Sequence, residues 1–582
     1  MTSASRSVPP GTPTAGARTA PVLWRYAVAE HRSTPAFAAE GPGGWSEVSW
    51  LEAGRRVEAL ANGLLAHGIG RGEAVAILAR TSLEWALLDW ASMSVGAVIV
   101  GLYPTSSAEE CAYILAHADA VLAFVEDDDQ LAKIRRFHGD LPKLRELIPL
   151  GGLDRLEAEG REYADANQGA LAAAVAAVRE DDLATLIYTS GTTGSPKGCM
   201  LTHRNLFAAA TRVERGLTRA DDVVLLFLPL AHSFGRLVHQ SAAFHGYTIA
   251  FCADPSRTAD ALTAVRPTVL PAVPRVFEKI HAGVVAQIEQ SGGAKRAIGR
   301  WGLRIGARAS SLRLTGNPEG LRLRVQERIA DRLVFSQVRR RLGGRMRLGV
   351  SGAAPLATDV LQFFHALGLL VVEGYGLTET SSSTTANHPD AFRFGTVGQP
   401  VEGCEVRLAE DGEILVRSDT VFAGYHKDPD ATRVALSDEG WLRTGDVGEI
   451  DVDGFLKITD RKKDLIITAG GKNVAPQTLE NALKASRFVS QALVVGDRRP
   501  YIAALVTLEE AEVATAGRDP RELVQEHVDG VNRGRGRVEQ IKRFAILPRD
   551  FTQEDGELTP TLKLKRRVII ERFSAEIEAL YR

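Results

Sequence analysis

The sequence predicts an α/β fold in two bodies, a large N-terminal domain built on doubly wound parallel sheets and a small, separate α+β lid. Three observations carry this expectation. From Ser49 onward short apolar runs alternate with helical stretches of roughly 10 to 15 residues, the pattern of strand, crossover helix and parallel strand in a sheet covered on both faces. The 582 residues are several times the ~100 to 200 of an ordinary domain. After Asp460 the composition shifts to more charge, with short strands (QALVVGD, YIAALVTLE, RFAILP) among two or three helices. The partition read from these shifts is a tail over 1–20, a large domain over 21–460 and a C-terminal domain over 461–582.

The elements follow in chain order. SWLEAGRRVEALANGLLAHGIG opens with Ser49 and Glu52 at capping-box spacing and repeats apolar residues at Val57, Leu60, Ala61, Leu64 and Leu65 before Gly68, so it predicts an amphipathic helix. EAVAILA reads as a strand, Ser82 as the cap of SLEWALLDWASM, AVIVGLY as a strand, Ser107 as the cap of SAEECAYILAHA, and AVLAFVE as the next strand. LATLIY, VVLLFLPL and GYTIAFC continue the series, and functional loops are then expected at the carboxyl ends of strands. Between roughly residues 290 and 345 the chain is dense in arginine, ordinarily a solvated helical face.

Composition narrows the function. With 45% hydrophobic and 24% charged residues and a net charge of −2, the chain is an ordinary globular protein without the bulk basicity of a nucleic-acid binder. Phosphate binding must therefore come from a local site. Cys111, Cys199, Cys252 and Cys404 have neither CxxC spacing nor a histidine partner at metal-ligand spacing, so neither a disulfide framework nor a zinc site is indicated and a reducing compartment is the simpler reading. The Ser-, Thr-, Pro- and Gly-rich residues 1–20 lack the apolar core of a secretory signal and read as a disordered tail. The uncharged run from Trp90 to Ala108 is broken by Gly96, Gly101 and Pro104 and reads as buried strand plus turn rather than a membrane span. The expected location is cytoplasmic.

The most informative stretch is YTSGTTGSPKG, Tyr188–Gly198, after the apolar LATLI. Gly191 and Gly194 let backbone N–H groups converge on an anion, Thr189, Ser190, Thr192 and Thr193 add hydroxyl donors, and Lys197 supplies charge for a polyphosphate. A Walker loop is excluded, because Pro196 and Gly198 stand where its second glycine and Ser/Thr belong, and CMLT after the loop reads as a strand before a helix capped at Thr202.

This loop resembles the phosphate loop of the adenylate-forming superfamily, which includes acyl-CoA synthetases, peptide-synthetase adenylation domains and firefly luciferase. LPLAHSFG (228–235), GVSGAAPL (349–356), EGYGLTET (373–380), WLRTGDVGEID (441–451), DGFLKITDRKKDLIITAGGKNVAP (453–476) and LTPTLKLKRRVI (558–569) resemble its other core motifs, in the same order. The likeness covers nearly all of the chain beyond the tail. It implies ATP, Mg2+ and coenzyme A as ligands, and a C-terminal domain that is mobile about a hinge at Lys463.

The resemblance also implies residue roles. Glu379 would be the metal ligand and Thr378 a hydroxyl for the α-phosphate; Gly374, Tyr375 and Gly376 would contact nucleotide, with the Tyr375 ring against adenine. Asp446 would accept both ribose hydroxyls with Arg461 as a second contact, and the small Gly352 and Ala353 would lie along the purine. His232 would sit near the substrate carboxylate, with Phe234 or Arg236 at the mouth of an acyl tunnel. The lysine that stabilises developing charge falls on Lys563, with Lys565 as alternative because Leu562 replaces the customary glycine. Gly470 and Gly471 would let pantetheine approach in the thiol-transfer conformation. Finer likeness in DRKKDLIITAGGKNVAP, TPTLKLKRR and the helical insertion points to long-chain fatty acyl-CoA synthetases, hence a fatty acid and coenzyme A as substrates and transient membrane contact. A carrier-protein acceptor and a non-catalytic binding relative are the competing readings.

Overall fold

The computed structural model describes residues 17–189, 196–213, 216–469, 472–559 and 563–582. Two largely parallel sheets form the large domain. In a seven-stranded sheet, Ala74–Leu78 lies between Val98–Leu102 and Ala120–Val125, with Leu183–Thr189 beyond Val98–Leu102, all parallel. The winding direction reverses at Ala74–Leu78, which is the doubly wound topology expected. This strand is buried along its whole length, because helices cover both faces and leave no solvated side for polar residues.

The nine-stranded sheet runs Val223–Leu226, Thr248–Phe251, Val269–Ala272, Leu348–Ser351 and Leu370–Tyr375 in parallel, with antiparallel strands at its edges. Leu348–Ser351 and Leu370–Tyr375 are neighbours in register, Ser351 opposite Glu373. The segments LPLAHSFG, SGAAPL and GLTET therefore leave the carboxyl ends of strands in one sheet, where ligand-binding loops of such sheets lie.

Several details differ from expectation. An antiparallel four-stranded sheet, Cys404–Leu408, Glu413–Ser418, Leu442–Ile450 and Leu456–Arg461, was not foreseen. Its Ile414, Val416, Leu442 and Leu456 join the main hydrophobic core. Trp90–Ser94 closes the helix Leu83–Ser94, so only part of the Trp90–Ala108 run is strand. The foreseen tail ends earlier than residue 20: Arg18 pairs with Glu180 and Asp419, and the first helix starts at Ala20. Beyond Asp460 the three foreseen strands are present as Val489–Val495, Ile502–Leu508 and Ile541–Ile546, but among the described residues five helices accompany them. Their hydrophobic cores are separate from that of the large domain.

Arg236 lies elsewhere than the mouth of a tunnel. It is buried one turn into the helix Ser233–His245, ion-paired with Asp89, and donates to Thr185 Oγ1 at 2.7 Å. Gln240 donates to the other oxygen of Asp89 at 3.4 Å, and Trp85 covers the guanidinium at 5.3 Å. Burial pushes the Asp89 carboxyl up and the Arg236 guanidinium down, each opposed by the other's charge. The pair joins the helix that begins beside His232 to the strand that leads into the phosphate loop. Arg236→Met is expected to destabilise the protein by about 3 to 5 kcal/mol, since it strands a buried carboxylate, whereas Asp89→Leu combined with Arg236→Met recovers most of the loss. Thermal melting of the two variants distinguishes this from a role in substrate contact.

Candidate active site

One cavity of about 1230 Å³ is lined by Thr189, Lys197, His232, Gly352, Ala353, Gly374, Tyr375, Gly376, Thr378, Glu379, Asp446, Arg461 and Lys563, the described residues given nucleotide, metal or catalytic roles from sequence, and by Phe234 but not Arg236 of the two offered for the tunnel mouth. Ser190, Gly191, Thr192, Thr193, Gly194, Gly470 and Gly471 lie outside the described residues. Thr189 and Lys197 pair across antiparallel strands, so the phosphate-loop segment joins two strands rather than a strand and a helix, as its sequence indicates. The next helix, His203–Arg212, starts at Thr202 with a full capping box to Asn205.

The wall opposite that hairpin is organised by Asp446. Its carboxylate is buried, accepting from Tyr375 Oη at 2.7 Å on one oxygen and from Arg461 Nε at 3.0 Å on the other. Asp446 and Arg461 face each other across the Leu442–Ile450 and Leu456–Arg461 strands, so sheet register sets their spacing. Holding the phenol fixes the Tyr375 ring as a flat wall of the cavity. Gly376 follows because a Cβ there would stand 2.3 Å from the Ser382 carbonyl carbon. Ala353 takes a left-handed φ of 72°, and the turn it belongs to is tied by Glu373, which accepts from the Leu356 amide at 2.9 Å. Burial pushes that glutamate up to about 7.

Glu379 accepts from Tyr425 Oη at 2.8 Å, and Lys197 stands over the Tyr425 ring at 5.1 Å while pairing with Asp428 at 3.2 Å. Burial first and the charge of Glu379 second push the Tyr425 phenol up, so it stays a donor. Tyr425 was missed from sequence; its signal, a tyrosine in FAGYHKDP, is indistinguishable from a core aromatic. No group of three or more His, Cys, Asp or Glu side chains suited to a metal occurs among the described residues. Glu379, one of the carboxylates lining the cavity, suits Mg2+, which binds through one or two carboxylates and substrate phosphates rather than an all-protein cage.

His232 caps the helix Ser233–His245 with Nδ1 accepting from the Phe234 amide at 3.2 Å, which leaves its proton on Nε2. Burial, and then the charge of Lys563, push the imidazole down to about 3, so it is neutral at any physiological pH and acts as a hydrogen-bond donor. Phe234, beside it, lies against Gly352, where a Cβ would come within 3.2 Å of the ring. Lys563 lines the cavity and Lys565 does not. The segment is pinned by reciprocal bonds, Lys563 N to Thr559 Oγ1 at 3.0 Å and Thr559 N to Lys563 O at 2.8 Å. Burial and the nearby Arg461 push the Lys563 ammonium down to about 8, against the pull of Asp446 and Glu379. Its solvent access is the cavity itself. Arg566, three residues on, binds Glu480 at 2.5 Å and the Val494 carbonyl at 2.6 Å, anchoring the helix that follows.

Residues 24–426 match the family model described as AMP-binding enzyme, and residues 463–582 match AMP-binding enzyme C-terminal domain. The chain belongs to the AMP-binding enzyme family. It is 41% identical to the long-chain-fatty-acid–CoA ligase FadD15 of Mycobacterium bovis over 93% of either chain. It is 32% identical to the long-chain-fatty-acid–CoA ligase ACSBG2 of Xenopus laevis, covering 96% of this chain and 83% of that one. Among solved structures it resembles the adenylation domain of a carboxylate reductase from Mycobacterium chelonae with a TM-score of 0.77 at 25% identity, over 97% of this chain and 91% of that one. The adenylate-forming fold, with its large N-terminal and small C-terminal domains, is thereby established, and the motif likeness read from the sequence is that of a member of the family.

Lys563→Ala is expected to slow adenylate formation by roughly 10² to 10³ fold, the usual cost of one preorganised charge, read as carboxylate-dependent ATP–pyrophosphate exchange. Because the ammonium is lowered to about 8, kcat/KM for ATP should fall as pH rises through that value and the charge is lost. Lys563→Arg, charged throughout, should run without that alkaline fall, at a lower plateau; a fall unchanged in the arginine variant assigns the titration elsewhere.

Proposed function

We propose that this chain is an AMP-forming long-chain fatty acid–CoA ligase that works in the cytoplasm. The observation that carries the reading is one cavity lined both by the polar Lys197, Glu379, Asp446, Arg461 and Lys563 and by the apolar Phe234, Val238, Val269, Pro271 and Val350. A nucleotide and a long acyl chain have those two chemistries. At about 1230 Å³ the cavity also exceeds the ~300 to 1,000 Å³ of an ordinary small-molecule site. The four cysteines, free and buried, fit a reducing compartment.

In the proposed first half-reaction a carboxylate oxygen of the acid attacks the α-phosphorus of ATP. The new P–O bond forms as the bond to the bridging oxygen breaks, and pyrophosphate leaves. Tyr375 offers a ring face to the adenine, Asp446 and Arg461 face the ribose, and Thr189, Lys197 and the 190–195 loop hold phosphate oxygens. Glu379 would hold Mg2+ together with those oxygens, the ion supplying charge neutralisation when bound. His232 Nε2–H orients the acid's carboxylate, and the Lys563 ammonium lies between carboxylate and α-phosphate, where negative charge accumulates.

In the second half-reaction the coenzyme A thiolate, its proton released to solvent, attacks the acyl carbonyl carbon. The C–O bond to the phosphate breaks and AMP leaves. The same cavity must now admit a thiol instead of pyrophosphate. Rotation of the C-terminal domain about Lys463, withdrawing Lys563 and presenting Gly470 and Gly471, meets that requirement.

Purified protein supplied with ATP, Mg2+, coenzyme A and fatty acids of graded length, followed by mass spectrometry, should yield AMP and acyl-CoA together for long chains. Adenylate accumulating without thioester would reassign the acceptor to a carrier protein. Absence of turnover with every acid would reject the ligase reading.

A further inference from the structure

Eight described residues other than glycine take a positive φ, and only two of them are adjacent: Ser381 at 52° and Ser382 at 59°. A side chain in this left-handed region is strained, and glycine is the residue that takes such a position freely. Strain of this kind gathers at active sites. The pair directly follows the turn Thr378–Thr380, which carries two residues of the cavity wall, Thr378 and Glu379. What two serines have there that two glycines lack is a pair of hydroxyls.

Both hydroxyls are engaged. Ser381 Oγ donates to the Thr420 carbonyl at 2.9 Å and fastens the turn from behind. Ser382 Oγ reaches a different element, donating to Ser233 Oγ at 2.6 Å. Ser233 is buried, lines the cavity, and opens the helix Ser233–His245 next to His232. Its oxygen lies 3.4 Å from Thr378 Oγ1. Ser233 thus joins the segment that carries His232 to the one that carries Thr378.

The direction of donation follows from counting protons, since a hydroxyl has one to give and two lone pairs to offer. The Ser382 proton is committed to Ser233. The Ser233 proton is left for Thr378 Oγ1, the one other side chain within its hydrogen-bond reach among the described residues. Thr378, accepting there, keeps its own proton to turn into the cavity. Hydroxyls in a chain polarise one another, so each donation strengthens the next. The contact between Ser233 and Thr378 is long for a hydroxyl pair, as catalytic hydrogen bonds commonly are until the reacting complex forms.

We propose that Ser382 and Ser233 are positioning residues of the adenylation half-reaction: the chain from Ser382 through Ser233 to Thr378 fixes the Thr378 hydroxyl as a donor to the oxygen that gains negative charge at the α-phosphate. The inference rests on the ligase reading and adds to it two residues that act through Thr378. A donor fixed in advance works where charge develops, so its loss slows the step more than it weakens ATP binding.

Carboxylate-dependent ATP–pyrophosphate exchange and thermal melting, both on the full-length protein, test this. Ser382→Gly removes the hydroxyl and suits the backbone, so kcat should fall about 5- to 20-fold, the size of one lost hydrogen bond, with KM for ATP within about twofold of wild type and melting no lower. Ser233→Ala should lose at least as much, and the double variant no more than Ser233→Ala alone, because links of one chain are not additive. Ser381→Gly relieves the same strain outside the chain and should keep kcat within about twofold of wild type. An unchanged kcat in Ser382→Gly overturns the proposal, as do losses that multiply in the double variant. So does an equal loss in Ser381→Gly, which would place the effect in the turn. Each of these outcomes leaves the ligase reading standing, whereas wild-type protein without exchange for any acid rejects both.

Discussion

The site depends on one buried carboxylate. Asp446 and Arg461 belong to the antiparallel unit, Arg461 at the end of its last strand, and Tyr375 to the end of a parallel strand, and Tyr375 and Arg461 meet at the two oxygens of Asp446. A buried carboxylate without partners would be expelled or protonated, and here a phenol and a guanidinium satisfy it. The same bonds hold the Tyr375 ring in place, and Arg461 stands two residues from Lys463, so the clamp fixes this wall of the cavity and the start of the C-terminal segment together. The close approach at Gly376 and the left-handed turn at Ala353 are local costs carried by a frame that this clamp closes.

Local signals made much of this legible. Caps at Ser49, Ser82 and Ser107 and fully apolar strand runs placed the early helices and the parallel sheet, because propensity, capping and burial point the same way there. Glycine-bearing loops after strands gave the cavity residues, since the chemistry sits in contiguous motifs. What failed was non-local. Arg236 looked like a site residue beside His232, but its partner Asp89 is 147 positions away, and only tertiary contact reveals a buried pair. Tyr425 reaches Glu379 across 46 residues and reads in sequence as an ordinary aromatic. The antiparallel unit is built of half-exposed strands whose alternation is weak beside the buried parallel ones. The choice of Lys563 over Lys565 rests on which of two near neighbours faces inward, set by the bridge between Leu558 and Leu564.

The lowered Lys563 ammonium also bears on the proposed domain alternation. The C-terminal segment brings a cation into a cleft that already holds Arg461, where burial first and that guanidinium second push the ammonium down to about 8. Asp446 and Glu379 offset only part of the cost, because Asp446 is engaged by Arg461 and Tyr375, and Tyr425 occupies an oxygen of Glu379. In the proposed reaction a triphosphate entering the cavity would supply the missing negative charge and favour the arrangement with Lys563 inside. Departure of pyrophosphate removes most of it while Arg461 stays, so the balance tips back toward withdrawal once the adenylate has formed. Neutral His232 contributes no charge to either state, which suits the proposed role of orienting a carboxylate before the reaction and releasing an acyl carbonyl after it.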